Sequence, residues 1–162
     1  MAINLFTGAT NSNWGTSTNW SLGIVPLSND GHIVTLNATS PNCIVNASAR
    51  SCTHIDFTGY TNTFTRNNTL AINGNMTLSS AMTFAGTSSI SIIGNSNVTT
   101  NGKSIPNTFQ FGNSSVMNAT FLDTFNCSTL NFVNTGSITF AGSFGFNCST
   151  LNCTINNKII NL

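Results

Sequence analysis

Apolar residues recur at every second position along much of the chain. Ile55 and Phe57 alternate with His54 and Asp56, Met76 and Leu78 with Asn75 and Thr77, and Ile90 and Ile92 with Ser89 and Ser91. The alternation continues through Met82 and Phe84, Leu130 and Phe132, Ile138 and Phe140, and then Leu151, Cys153 and Ile155. A period of two is that of a strand with one buried face. Gly punctuates the pattern at Gly59, Gly74, Gly86, Gly94, Gly102, Gly112, Gly136 and Gly142, often next to Asn. Such residues supply the positive φ that tight turns need. The strands between them are short, roughly four to six residues. An all-β fold is expected.

A repeat sharpens this expectation. Asn-Cys-Ser-Thr-Leu-Asn occurs at Asn126–Asn131 and again at Asn147–Asn152. A degenerate cousin, Ser51-Cys52-Thr53-His54-Ile55-Asp56-Phe57, lies upstream. A period of about 20 residues marks a quasi-one-dimensional fold, in which each unit buries its apolar side against the next. It suits one coil of a β-solenoid, or β-helix. It also suits one hairpin of an up-and-down sheet, so a β-sandwich is the alternative. In a solenoid Leu130 lies under Leu151 and Phe132 under Cys153, about 4.8 Å apart. Ile55, Phe57, Leu130, Phe132, Leu151 and Cys153 are then the repeat core. Asn and Thr stack outside it in ladders that satisfy one another without charge.

Composition makes those ladders necessary. The chain has 162 residues, 4 Lys+Arg, 3 Asp+Glu and a net charge of +1, and only 4% of it is charged. Asn, Thr and Ser together supply roughly 44%, far above ordinary usage. Apolar residues still make up 40%, enough for a core, and the low charge argues against disorder. No basic patch exists to drive nucleic-acid binding or recruitment to an anionic membrane, and no apolar run is long enough to span a bilayer. Residues 1–14 show neither the basic nor the apolar region of a secretory signal. With five Cys, an odd number, this suggests a reducing compartment and free, buried thiols. About eleven Asn-x-Ser/Thr triplets are close to what this composition gives by chance.

Residues 1–42 read as an N-terminal cap or docking segment, and residues 43–162 as the repetitive strand stack. The first segment holds both tryptophans, Trp14 and Trp20. Together with Tyr60 they suit one of two roles. They can cover the open end of the solenoid and hide its strand edge, or stack on sugar rings.

Trp14, Asn19, Trp20, Ser21, Gly23 and Pro26 form the pattern W-x(4–5)-N-W-S-x-G-x-x-P. This resembles the opening of a diffuse group of β-rich proteins of bacteriophage virions and metagenomic viruses, with related openings in autotransporter-like adhesins. The blocks Cys52–Tyr60, Leu70–Leu78 and Thr100–Ile105 also resemble that group. The resemblance implies a structural component of a virus particle, made in the host cytoplasm and located in the virion. It would act through subunit packing as a capsid decoration or cement protein or a short fibre. Its implied partners are other virion proteins and further copies of itself, with a trimer as the expected assembly. The alternative is a carbohydrate-binding adhesin or tail receptor-binding module that meets a host surface glycan. The resemblance supplies no catalytic residues.

The residues that could carry chemistry are few. Asp30 with His32, and His54 with Asp56, are the close acid–histidine pairs, and i, i+2 spacing in a strand puts both members on one face. Two such pairs could hold a metal only by converging. No Gly-x-Ser-x-Gly elbow is present, and paired carboxylates would have to come from Asp30, Asp56 and Asp123 alone. No enzyme, catalytic residue, metal or cofactor is assigned.

Overall fold

A computed structural model describes the backbone of residues 1–112, 117–133, 138–141, 145–153 and 160–161. Side chains are described for the same residues apart from 138–141, 153 and 160–161. Gly136, Gly142, Ile155 and the side chains of Ile138, Phe140 and Cys153 lie outside the described residues.

The strands in chain order begin with β1 (Ile3–Leu5), β2 (Ile33–Thr35), β3 (Cys43–Val45), β4 (Arg50–Cys52), β5 (His54–Asp56) and β6 (Thr63–Arg66). Next come β7 (Leu70–Ile72), β8 (Met76–Thr77), β9 (Thr83–Ala85), β10 (Ile90–Ile92), β11 (Ser96–Thr99) and β12 (Ile105–Phe111). The last are β13 (Met117–Phe121), β14 (Phe125–Phe132), β15 (Ile138–Ala141), β16 (Phe146–Cys153) and β17 (Ile160–Asn161).

Three sheets wrap one core. The long sheet runs β1-β2-β5-β8-β11-β13-β15-β17, the second β4-β7-β10-β12-β14-β16, and the short one β3-β6-β9. From β2 the chain visits them in rotation, long, short, second, through β10. From β11 onward it alternates between the long sheet and the second. Neighbouring strands pair in parallel, and steps such as Ile33 to His54 and Ile55 to Met76 equal the offset of the sequence repeat. After the longer first step from Ile3 to Ile33, the spacing varies little, from Ile90–Phe109 at its shortest to Ser96–Ala119 at its longest. Parallel neighbours one coil apart define a β-solenoid. A hairpin-built sheet or sandwich needs antiparallel neighbours.

The change from three faces to two follows from strand length. The short sheet ends at β9, while β12, β14 and β16 have seven or eight residues. A register shift between Ile105 and Thr108 bends β12, and there Asn107 adopts φ 69° and donates through Nδ2 to the Gly86 carbonyl at 3.0 Å. Asn tolerates this left-handed backbone better than most residues. Gly86, at φ 76°, also passes so close to the Arg66 backbone that a Cβ would lie 2.3 Å from its carbonyl oxygen.

Inward positions line up in rows through the core. One row runs Val34, Ile55, Met76, Val98, Phe121, all buried and paired in register. Another joins Leu70, Ile90, Phe109 and Leu130. Aromatic rings meet between coils, Phe111–Phe132 stacked at 5.8 Å with nearly parallel planes and Phe109–Phe125 edge-on at 4.8 Å.

The repeat pairs residue for residue. Asn126 lies beside Asn147, Cys127 beside Cys148, Leu130 beside Leu151, and Phe132 beside Cys153. Ile55, Phe57, Leu130 and Phe132 are all buried. Leu151 corrects the expected core: it stacks on Leu130 yet is 57% exposed. Its strand, β16, is outermost in its sheet among the described residues, so no described rung covers its upper side.

Leu130→Ala is therefore expected to lower stability by about 2–5 kcal/mol, whereas Leu151→Ala should stay within about 0.5 kcal/mol of the parent. Urea unfolding of the two variants checks the asymmetry.

Candidate functional site

The tryptophan-bearing segment is continuous with the solenoid. Residues 1–42 contain β1 and β2, the first two rungs of the long sheet, and the cap loops between them. The loops close the lower edges. Phe6 and Trp20 form an antiparallel bridge, Ser21 N donates to the Leu5 carbonyl, and Leu5 N donates to Ser21 Oγ. The Asn4 amide, fully buried at the bottom of the inward row, donates to the Ile24 carbonyl and accepts from Leu22 N. Ser12 and Trp14 do the same for the short sheet: Ile44 N donates to the Ser12 carbonyl and Trp14 N to the Ile44 carbonyl.

Asn19 holds this loop in shape. Its Oδ1 accepts from Thr10 N and Asn11 N, and its Nδ2 donates to Asn11 Oδ1 and the Asn13 carbonyl. Trp20 Nε1 donates to the Trp14 carbonyl at 2.7 Å, and the two indoles meet edge-on at 4.8 Å. Trp14 also packs edge-on against Phe64, and Trp20 against Phe6. Tyr60 lies against Phe57 and donates its hydroxyl towards the carbonyls of Pro41 and Thr63. Burial pushes the phenol well above its usual range.

Trp14, Trp20 and Tyr60 are 0%, 2% and 0% exposed. This corrects the glycan-stacking role for these residues, since a sugar needs an open aromatic face. Their rings are instead part of the core.

Asp30 and Asp56 each fix a local turn, whereas Asp123 reaches back to Thr100 in the preceding coil. Asp30 accepts from Leu27 N, His32 N and Thr53 Oγ1, and its carboxylate lies 3.4 Å from His32 Nδ1. Partial burial raises its pKa, but the hydrogen bonds outweigh this and hold it below the ordinary value of 3.8. Asp56 accepts from the backbone N and hydroxyl of Thr58, and Asp123 from those of Thr100. His54 Nδ1 accepts from Asn75 N in the next coil. Among the described residues no group of three or more His, Cys, Asp or Glu comes together to hold a metal. No described helix is long and apolar enough to cross a membrane.

Cys43, Cys52 and Cys127 are buried free thiols, and Cys148 is half-buried and free. Burial pushes Cys127 up to about 12, with Cys148 beside it adding to the shift. These residues behave as small apolar side chains.

Alternation also places Arg66 inward, two positions after buried Phe64 on the same face of β6. It is fully buried at the point where the short sheet runs out. Its Nη2 donates to the Pro106 carbonyl at 2.9 Å, and its guanidinium lies 4.8 Å above the Phe84 ring. Nε and Nη1 have no hydrogen-bond partner among the described residues. Loss of hydration lowers its pKa to about 10.

Outside the core, uncharged side chains link successive coils. Asn147 Nδ2 donates to Asn126 Oδ1 at 3.0 Å, and Asn152 Nδ2 to Asn131 Oδ1 at 2.9 Å. Gln110 bonds Ser91, Thr69 bonds Ser89, and Asn75 Oδ1 accepts from Asn97 N. An open groove of about 510 Å³ borders the first of these ladders, lined by Ser104, Ser128 and Ser149 as well as the two asparagines. Cys127, Cys148 and Phe146 complete its described lining, which offers hydroxyl, amide, thiol and ring groups and, among the described residues, no charged side chain. No protein-family model, curated protein or solved structure matches the chain.

Two outcomes follow from the buried charges. A base whose folded pKa is lowered destabilises the fold below that value, and the penalty fades as pH rises from about 10 toward the ordinary guanidinium range. Arg66→Met should raise the melting temperature at neutral pH, with a smaller gain above pH 10, as thermal melts at the two conditions will show. Asp30 acts in the opposite direction. Its contribution is complete above the ordinary carboxylate pKa and is lost as pH falls through the lowered folded value. Asp30→Asn should therefore flatten the acid limb of a melting-temperature profile.

Proposed function

We propose that this chain is a structural component of a virus particle, a bacteriophage capsid decoration or cement protein or a short fibre, acting through subunit packing. The fold offers a rigid stack whose coils are joined by backbone ladders, apolar rows and uncharged side-chain bonds. The observation that carries the reading is the burial of Trp14, Trp20 and Tyr60. The opening motif that resembles virion proteins is committed to closing the end of a rod. The carbohydrate-binding alternative loses the three aromatics on which it stood.

Packing also suits the surface. With 4% charged residues and a net charge of +1, little repulsion keeps copies or partners apart. Met1, Ile3, Leu22, Ile24 and Leu27 are exposed apolar residues, and all five precede β2. A decoration protein needs such low-charge surface to seat on a neighbour, and the assembled particle would cover it.

Quantitative mass spectrometry of purified particles of the virus that encodes the chain tests the assignment. The chain should be present in a fixed ratio to the major capsid or tail protein and should withstand washing in high salt. Recovery only from the soluble fraction of infected cells would contradict the reading.

A further inference from the structure

The short sheet stops well before the other two. β3, β6 and β9 climb one coil apiece, but the coil that follows, residues 86–112, is described throughout and sends no strand to this face. The chain crosses from β11 to β12 instead and leaves an open cleft of about 310 Å³ against β9. Thr83 and Phe84 line it from the strand, and Lys103, Ser104, Pro106 and Ser128 from the later coils.

The open side of β9 carries an unused backbone pair. Successive residues of a strand turn their N–H and C=O groups to opposite neighbours. Thr83 N donates to the Asn62 carbonyl, so Thr83 and Ala85 serve the ladder with β6. Phe84 therefore points its N–H and C=O the other way, over the cleft. Among the described residues no hydrogen bond from another coil meets either group. The next carbonyl on this side, that of Gly86, already accepts from Asn107 Nδ2 at 3.0 Å. The edge is thus closed by a side chain at Gly86 and left open at Phe84.

Side chains and charge narrow the occupant. Phe84 ends an inward row above Cys43 and Phe64 and is only partly buried, so an apolar side chain one rung up would cover its ring. Lys103 stands in the cleft wall, and among the described residues no acid lines it. Arg66 lies behind that wall. It donates to the Pro106 carbonyl and sits over the Phe84 ring, fully buried and without a described acidic partner. Both cations favour a negative ligand. The Phe84 carbonyl needs a donor, which a peptide backbone brings and a free oxyanion lacks.

We propose that this cleft takes an extended acidic segment of another protein, added to β9 as a fourth strand of the short sheet. The segment's backbone pairs with the Phe84 N–H and C=O, an apolar side chain covers the Phe84 ring, and a neighbouring carboxylate faces Lys103. The proposal stands independently of the virion role.

The probe is the peptide acetyl-Thr-Asp-Val-Asp-Thr-amide, whose sequence reads the same in either direction. Its addition to the full chain should shift the Phe84 amide signal in NMR and slow its hydrogen exchange. The Thr83 amide, already bonded to Asn62, should keep its exchange rate. The same peptide with Lys in place of Asp should bind more weakly. Lys103→Glu should weaken the acidic peptide roughly fivefold and reverse that preference. Ser128→Tyr, at an exposed position on the cleft, should abolish binding with an unchanged melting temperature. An unprotected Phe84 amide at saturating peptide, equal binding of the two peptides, or displacement of the acidic peptide by inorganic phosphate at matched ionic strength would each overturn the proposal.

Discussion

In-register stacking of like residues one coil apart is the constraint on which the rest of the structure depends. A chain with so few charges cannot hold its strands by ion pairs. The one close acid–base contact among the described residues, Asp30 with His32, serves a turn. Because β14 and β16 pair residue for residue, each amide finds another amide and each apolar side chain another apolar side chain. Backbone ladders set the spacing, and the side chains add to it only if the register holds. A slip of one residue would turn Leu130 outward and Asn131 inward together.

Stacking creates a problem at its ends, and the fold treats the ends differently. At the N-terminus the open edges are met by loop backbone, by the buried Asn4 amide and by two indoles inside the core. Where the short sheet stops at β9, Arg66 fills the space above Phe84 and reaches the Pro106 carbonyl. A buried guanidinium with two nitrogens unpartnered among the described residues is a poor filler energetically. Its long apolar stem and single strong hydrogen bond bridge the change from three faces to two.

The solenoid was legible in the sequence because its two periods act on the same residues. Alternation at Ile55/Phe57 and Leu130/Phe132 marks the inward face, and the recurrence of Asn-Cys-Ser-Thr-Leu-Asn marks the coil. What alternation cannot register is whether a rung lies above. Leu151 therefore reads as core yet is exposed, although its local pattern equals that of Leu130. The two tryptophans were legible as an end feature, but either role open to them keeps the same spacing. Only the placement of Phe6, Phe64 and the Trp14 carbonyl decides that they are buried. Arg66 shows a further limit, because a charged residue in an inward position looks like a break in the pattern.

The most direct test of the glue between coils is a double-mutant cycle on Ser91 and Gln110, an uncharged pair that joins β10 to β12 at 3.1 Å well inside the stack. Ser91→Ala, Gln110→Ala and the double variant would be unfolded in urea at low and at high salt. If uncharged pairs stand in for ion pairs, the coupling energy is about 1 kcal/mol and does not change with salt. A coupling below about 0.3 kcal/mol, or one that vanishes as salt is added, would contradict it.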